Sequence, residues 1–169
     1  STIKGFNIQS LASDPVTSVV AGGTWASGGA LNTGRHSLMS AKSGTQTASL
    51  VFGGASPTYQ KATEKYDGTS WTEVGDIAVA INDGGGAGTQ TAALCFGGEI
   101  QGPPWGNYPL HNESWDGTSW SEVNDVLVAR TSAAGFGVQT AAMFVGGYGS
   151  APPAGVRALS ETWNGTSWT

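Results

Sequence analysis

Apolar residues gather in three short runs, Leu50-Val51-Phe52, Leu94-Cys95-Phe96 and Met143-Phe144-Val145, each closed by two glycines. With the residues before them they read TASLVFGG, TAALCFGG and TAAMFVGG, apolar at almost every position, which predicts a strand covered on both faces. The closing pairs, Gly53-Gly54, Gly97-Gly98 and Gly146-Gly147, permit positive φ and close approach of another backbone, so a larger residue there should damage folding. After a variable loop come Thr63 to Tyr66, Asn112 to Trp115 and Ser160 to Trp163, each ending in an aromatic, and these predict the next strand. Asp67-Gly68, Asp116-Gly117 and Asn164-Gly165 are the preferred pairs of a two-residue type I′ hairpin. Trp71, Trp120 and Trp168 are then expected to open a fourth strand.

Successive glycine pairs and successive fourth-strand tryptophans are separated by 44 to 49 residues, and repeats of that length built from short strands predict propeller blades. The blades fall at about 34–74, 79–123 and 129–169, within a repeat domain at 23–169. Ten residues beyond Trp25, Trp71 and Trp120 stand Arg35, Ile81 and Arg130, which extends the register upstream. Trp25 therefore reads as the fourth strand of an incomplete preceding blade, and Arg35-His36 and Arg130-Thr131 as openings of first strands. Asp83-Gly84-Gly85-Gly86 lacks the Lys and the strand-to-helix context of a phosphate loop and reads as a flexible or tightly turned start to blade two. Burying one fourth-strand indole removes roughly 150 to 250 Å² from water. At ~25 cal/mol per Å² that is about 4 to 6 kcal/mol before entropy is charged, so these rings are packing residues first.

A hydrophobic strand ending in Gly-Gly, then a Tyr or Trp, then a Trp at short spacing resembles the kelch repeat. The residues that carry the resemblance are Phe52-Gly53-Gly54, Tyr66 and Trp71; Phe96-Gly97-Gly98, Trp115 and Trp120; and Val145-Gly146-Gly147, Trp163 and Trp168. It covers about 145 of the 169 residues and implies an all-β propeller of four-stranded antiparallel blades. Two features depart from the family: its usual tyrosine is tryptophan in blades two and three, and its rings carry five to seven blades. Three blades are also fewer than the 4 to 8 typical of propellers. The ring is expected to be completed by sequence beyond Thr169 or by another chain, two chains giving six blades about a twofold axis. Trp25 and Trp168 cannot share one closing position, so the N-terminal strand is expected to lie across a partner.

Composition narrows the chemistry. Charged residues make up 11% of the chain against 27 glycines, which suits tight turns and disfavours helix. Twelve acidic against seven basic residues give a net charge of -5 with no basic face, so nucleic-acid binding is not expected. No run approaches the ~18 apolar residues of a membrane-spanning helix, and the N-terminus lacks the features of a secretory signal. The single Cys95 excludes an internal disulfide and occupies the place of Val51 and Phe144, a buried apolar role. His36 and His111 lie in different blades, no HExxH or GxSxG pattern occurs, and no metal or cofactor is expected. Glu73-Val74-Gly75-Asp76 and Glu122-Val123-Asn124-Asp125 recur with the repeat and read as solvated loop carboxylates, or as a cation site between blades.

Function is expected where the repeats differ, in the loops ASPTYQKA, EIQGPPWGNYPLH and YGSAPPAGVRAL that follow each glycine pair. Prolines 103, 104, 109, 152 and 153 stiffen them, and Tyr59, Trp105, Tyr108 and Tyr148 add rings that bind sugars or protein surfaces at low entropic cost. His111 and Arg157 belong to the same loops. In kelch propellers these loops line one face, the usual ligand surface, and the resemblance implies that Arg35 and Arg130 approach it. The three arginines, Arg35, Arg130 and Arg157, could clamp a carboxylate, as sialidase-like propellers do. The copper radical oxidases, also kelch-type, need a Tyr-Cys crosslink and two histidines, for which this chain is poorly supplied.

The words GTQTA, FGG and YDGTSW, with an IKGFNIQSLASDP leader, are similar to kelch-like proteins of marine bacteriophages. That resemblance implies a non-catalytic virion protein of a tail, fibre or capsid decoration. Residues 1–22, with Ile3, Phe6, Ile8 and Leu11, would be the arm that docks on other virion proteins or a second copy, and the loop face would meet a host-surface glycan. The alternatives are a carbohydrate-active propeller enzyme and a kelch interaction adaptor.

Overall fold

The third strands form with the bounds read from the sequence, Thr63–Tyr66, Asn112–Trp115 and Ser160–Trp163, and each belongs to an antiparallel sheet. The structure, a computed structural model, describes residues 26–102, 106–150 and 154–169. The expected docking arm, Trp25, Trp105 and four of the five loop prolines lie outside them. Blade one is Met39–Ser40, Ser49–Phe52, Thr63–Tyr66 and Trp71–Val74, hydrogen-bonded in that order. Blade two repeats it with Gly85–Gly88, Ala93–Phe96, Asn112–Trp115 and Trp120–Glu122. Blade three has Ala134–Val138, Ala141–Val145 and Ser160–Trp163, with Trp168 bridged to Trp163 where a fourth strand would start. The chain is thus all-β and propeller-like, with no helix among the described residues.

Three sequence expectations are corrected. The hairpins between third and fourth strands are not two-residue turns: Tyr66 pairs with Trp71, leaving Asp67 to Ser70 as a four-residue loop. The Asp67 carboxylate accepts the N–H groups of Thr69 and Ser70, both at 2.8 Å, and Asp116 and Asn164 repeat this. The side chain closes the loop from inside, which an Asn-Gly or Asp-Gly pair permits as readily as a type I′ turn. The first strands begin at Met39 and Ala134, not at the arginines, because Arg35 and Arg130 turn inward before the ladder starts. Of the two readings of the glycine run, the flexible one falls: the chain turns at Asp83, at φ +50°, and Gly85–Gly88 is a wholly buried strand. Its glycines are required by proximity, since a Cβ on Gly86 would run into Ser40 O of blade one, and the facing Gly135 of blade three could not carry one either, at 2.7 Å from the Gly86 nitrogen.

The core lies between blades rather than within them. One cluster joins Met39, Leu50 and Phe52 of blade one to Cys95 and Trp115 of blade two. The other joins Leu94 and Phe96 of blade two to Phe144, Trp163 and Trp168 of blade three. The fourth-strand tryptophans of blades two and three pack edge-on against the second-strand Phe of the blade before, Trp120 on Phe52 at 4.8 Å and Trp168 on Phe96 at 4.9 Å. Such pairs add about 0.5 to 1.5 kcal/mol beyond area burial.

Polar ties repeat with the same period. Gln90 donates to the carbonyls of Tyr66 (2.6 Å) and Ser49 in blade one, and Gln139 to those of Trp115 (2.5 Å) and Ala93 in blade two. The second glycine of the pair donates across the junction to the next linker, Gly54 to Ile81 O (2.9 Å) and Gly98 to Arg130 O (3.0 Å). Ser37, Asp83 and Ser132, all at positive φ, form a series in which Asp83 N donates to Ser37 O and Ser132 N to Asp83 O.

The glycine pairs take φ between +63° and +97°, as their sequence position requires. A Cβ on Gly97 would meet the Phe144 ring at 2.6 Å and Arg130 O at 3.0 Å. Gly97→Ala should therefore lower stability by roughly 2 kcal/mol or more, read as a fall in the denaturant midpoint, whereas Gly102→Ala, which meets nothing, should cost less.

Candidate functional site

Charge is first placed by the fold, not by the loops. Glu64, Glu113 and Glu161 hold the same register position on the third strands and are buried. Each accepts a linker N–H seven residues after a tryptophan position: Asn32 on Glu64 (2.8 Å), Ala78 on both oxygens of Glu113 (2.9 and 3.0 Å), and Leu127 on Glu161 (2.6 Å). Arg35 completes the first station by pairing with Glu64 and donating to Gly53 O (2.9 Å), and Arg130 completes the third by pairing with Glu161 and donating to Phe144 O (2.8 Å). The Arg35 and Arg130 side chains are fully buried. They are structural cations held by internal carboxylates, so the expected approach to a loop-face ligand is not what the fold does with them.

Blade two differs. Ile81 stands where the others have Arg, and the His111 imidazole takes the place beside the carboxylate instead, its Nε2 2.5 Å from Glu113 Oε1. The hydrogen bond to Glu113 raises the His111 pKa; burial opposes it, and the charges of Glu113, Glu122 and Asp125 reinforce it. Burial pushes the Glu64 carboxyl up, but the bonds from Asn32 and Arg35 outweigh it and leave the group below its usual range. Cys95 is buried as expected, and burial, then the Glu113 charge, pushes its thiol well up.

The loops supply a second, partly exposed constellation. Ile81–Asn82 pairs with Glu99–Ile100, and Tyr148–Gly149 with Gly155–Val156, forming two small ribbons beyond the glycine pairs. The Tyr59 N–H donates to Gln101 Oε1 (3.0 Å), joining the loops of blades one and two. Tyr108 and Tyr148 join blades two and three by an edge-on contact at 6.4 Å. Glu99 lies between these pairs: it accepts the Gly106 N–H (3.3 Å), and after burial its charge is the next cause raising the phenols of both Tyr59 and Tyr108. Arg157 lies across Gly149, where a Cβ would come within 2.6 Å of its Nε. The fold thus sets Tyr108 against Tyr148, places Tyr59 and Tyr108 near Glu99, and leaves Arg35, Arg130 and His111 to internal duties; the signal for Glu99 was its place as the first residue after Gly97-Gly98.

The recurring acids are exposed, but only Asp76 and Asp125 lie in loops; Glu73 and Glu122, expected there too, stand in the fourth strands. Among the described residues no group of three or more His, Cys, Asp or Glu is placed to hold a metal ion, and no helix is long and apolar enough to cross a membrane.

No protein-family model matches this chain, and no curated protein matches it. In structure it is similar to YjhT, with a TM-score of 0.66 at 12% identity over 80% of this chain and 45% of that one. The likeness concerns the fold, and the chain spans less than half the length of that protein.

The buried stations carry two expectations. Arg130→Met leaves Glu161 charged and unpaired and should cost about 3 to 5 kcal/mol in denaturant unfolding, with Glu161→Gln in the same chain recovering part of it. Because the folded His111 pKa is raised, its ion pair contributes fully below the ordinary histidine value near 6.5 and is lost as pH rises through the raised value. Thermal unfolding should show stability declining across that window, and His111→Gln should remove the slope.

Proposed function

We propose that this chain is a non-catalytic binding propeller of a virion, with its tyrosine-bearing loop face turned to a host-surface glycan. The observation that carries the reading is that Tyr59 and Tyr108, from the loops of blades one and two, both lie near the Glu99 carboxylate, with Tyr148 of blade three edge-on against Tyr108. Aromatic faces stack on the apolar side of a sugar ring, while a carboxylate and the Gln101 amide accept and donate to its hydroxyls. Partly exposed rings held by ribbons lose little entropy on binding.

The repeat words similar to those of marine bacteriophage proteins support the virion setting. Residues 1–22 would then be the arm that attaches the propeller to the particle. Kelch-type membership and particle location belong to the same proposal, with a carbohydrate-active enzyme as its rival.

Glycan-array binding tests it. The chain should retain a subset of neutral or cationic glycans, and Tyr108→Ala and Tyr148→Ala should each weaken retention about tenfold or more, in line with about 1.4 kcal/mol per decade. Turnover of a retained sugar would replace this reading with the enzymatic one. Copurification with assembled particles should accompany binding.

A further inference from the structure

The fold keeps one rule for the glutamates it buries: each has a basic side chain of the same chain beside it. Glu64 pairs with Arg35, Glu113 with His111 and Glu161 with Arg130. Glu99 departs from the rule. It is partly buried and accepts the Gly106 N–H at 3.3 Å, yet none of the ion pairs among the described residues includes it. Glu73, Asp76, Glu122 and Asp125 are outside those pairs too, but they are exposed, so water solvates their charge.

The ribbon fixes where this carboxylate stands. Ile81 pairs with Ile100 and Asn82 with Glu99, and the two isoleucines belong to the core between blades one and two, so strand alternation turns Asn82 and Glu99 to the opposite side. Tyr59 reaches that side from blade one, tied by its N–H to Gln101 Oε1. Burial and then the Glu99 charge raise its phenol, a hydrogen bond with Asn82 opposes them, and Asp83 adds further negative charge. Tyr108 approaches through Gly106: a Cβ on that glycine would stand 3.5 Å from the Tyr108 hydroxyl, while its N–H is given to Glu99. The place therefore combines negative charge, aromatic carbon and oxygen acceptors, and no cation among the described residues pairs with its carboxylate.

We propose that the ligand brings the cation: the glycan held at this face is an amino sugar whose free ammonium sits against the Glu99 carboxylate, with the Tyr59 and Tyr108 rings beside it. The inference rests on the glycan reading above and narrows it to sugars with an unacetylated amine. An ammonium has three donors and no acceptor, which suits a carboxylate and phenol oxygens, and its charge is attracted to the face of a tyrosine ring. N-acetylation removes the charge and puts a methyl amide in its place, leaving the carboxylate unanswered. A sugar acid would set like charges together, so the selectivity is the reverse of the arginine clamp that the sequence suggested.

Titration calorimetry of the chain with glucosamine oligomers, and with the same oligomers fully N-acetylated, tests this. The free-amine form should bind about tenfold more tightly or better, and its advantage should shrink as salt is raised. Glu99→Gln keeps an acceptor for the Gly106 N–H and should bring the two forms to equal affinity. Gln101→Glu, at an exposed position, keeps an acceptor for the Tyr59 N–H and should preserve the preference. A short lysine peptide, which offers the ammonium without the sugar, should bind at least about tenfold more weakly than the amino sugar. Equal affinity of the wild-type chain for both oligomers, a preference that Glu99→Gln leaves unchanged, or a lysine peptide that binds as well as the sugar would each overturn the inference and leave a glycan-binding face standing. Absence of binding to any glycan would remove both.

Discussion

Everything in this fold hangs on a carboxylate buried in the third strand of each blade. A desolvated Glu is costly unless its lone pairs are met, and here each takes a backbone N–H from the linker that enters its blade, together with an arginine or, in blade two, the His111 imidazole. That requirement draws the linker inward, sets where the following strand begins, and brings the carbonyl of the tenth residue to the glycine pair of the preceding blade. Those glycines must then be glycines, because the arriving backbone occupies the space of a Cβ. Blade-to-blade spacing is thus decided by polar satisfaction, and the Trp–Phe contacts fill what that spacing leaves.

The same arrangement separates stability from recognition. With Arg35, Arg130 and His111 held by internal carboxylates, the loops beyond the glycine pairs are free to differ in length and composition without loosening the sheets. They answer to different physics: rings with partial exposure, a carboxylate near two phenols, and short ribbons that limit their motion. Blade two's exchange of Arg for His at one station is the place where solution pH reaches the packing of the repeat.

Particular residues show what could be read in advance. The third strands, the glycine pairs and the tryptophans were legible because each repeats at a fixed spacing and has one dominant physical role, and Cys95 was legible because its repeat neighbours are apolar. Arg35 and Arg130 were not. Their spacing from tryptophan was visible, but charge at a blade edge reads equally as ligand clamp or as structural counter-ion, and the partners Glu64 and Glu161 are 29 and 31 residues away. The four-residue loop closed by Asp67 escaped for a local reason, since Asp-Gly serves two turn types and only the pairing of Tyr66 with Trp71 distinguishes them.

The blade and its period are written along the chain, because apolar runs, paired glycines and aromatic spacing are relations between near neighbours. Which charges are buried, which loop residues meet, and that Glu99 stands near Tyr59 and Tyr108 were settled only when the blades packed. Those outcomes depend on distances between segments of different blades, which no local pattern encodes, and on the desolvation of groups whose burial exists only in the folded chain.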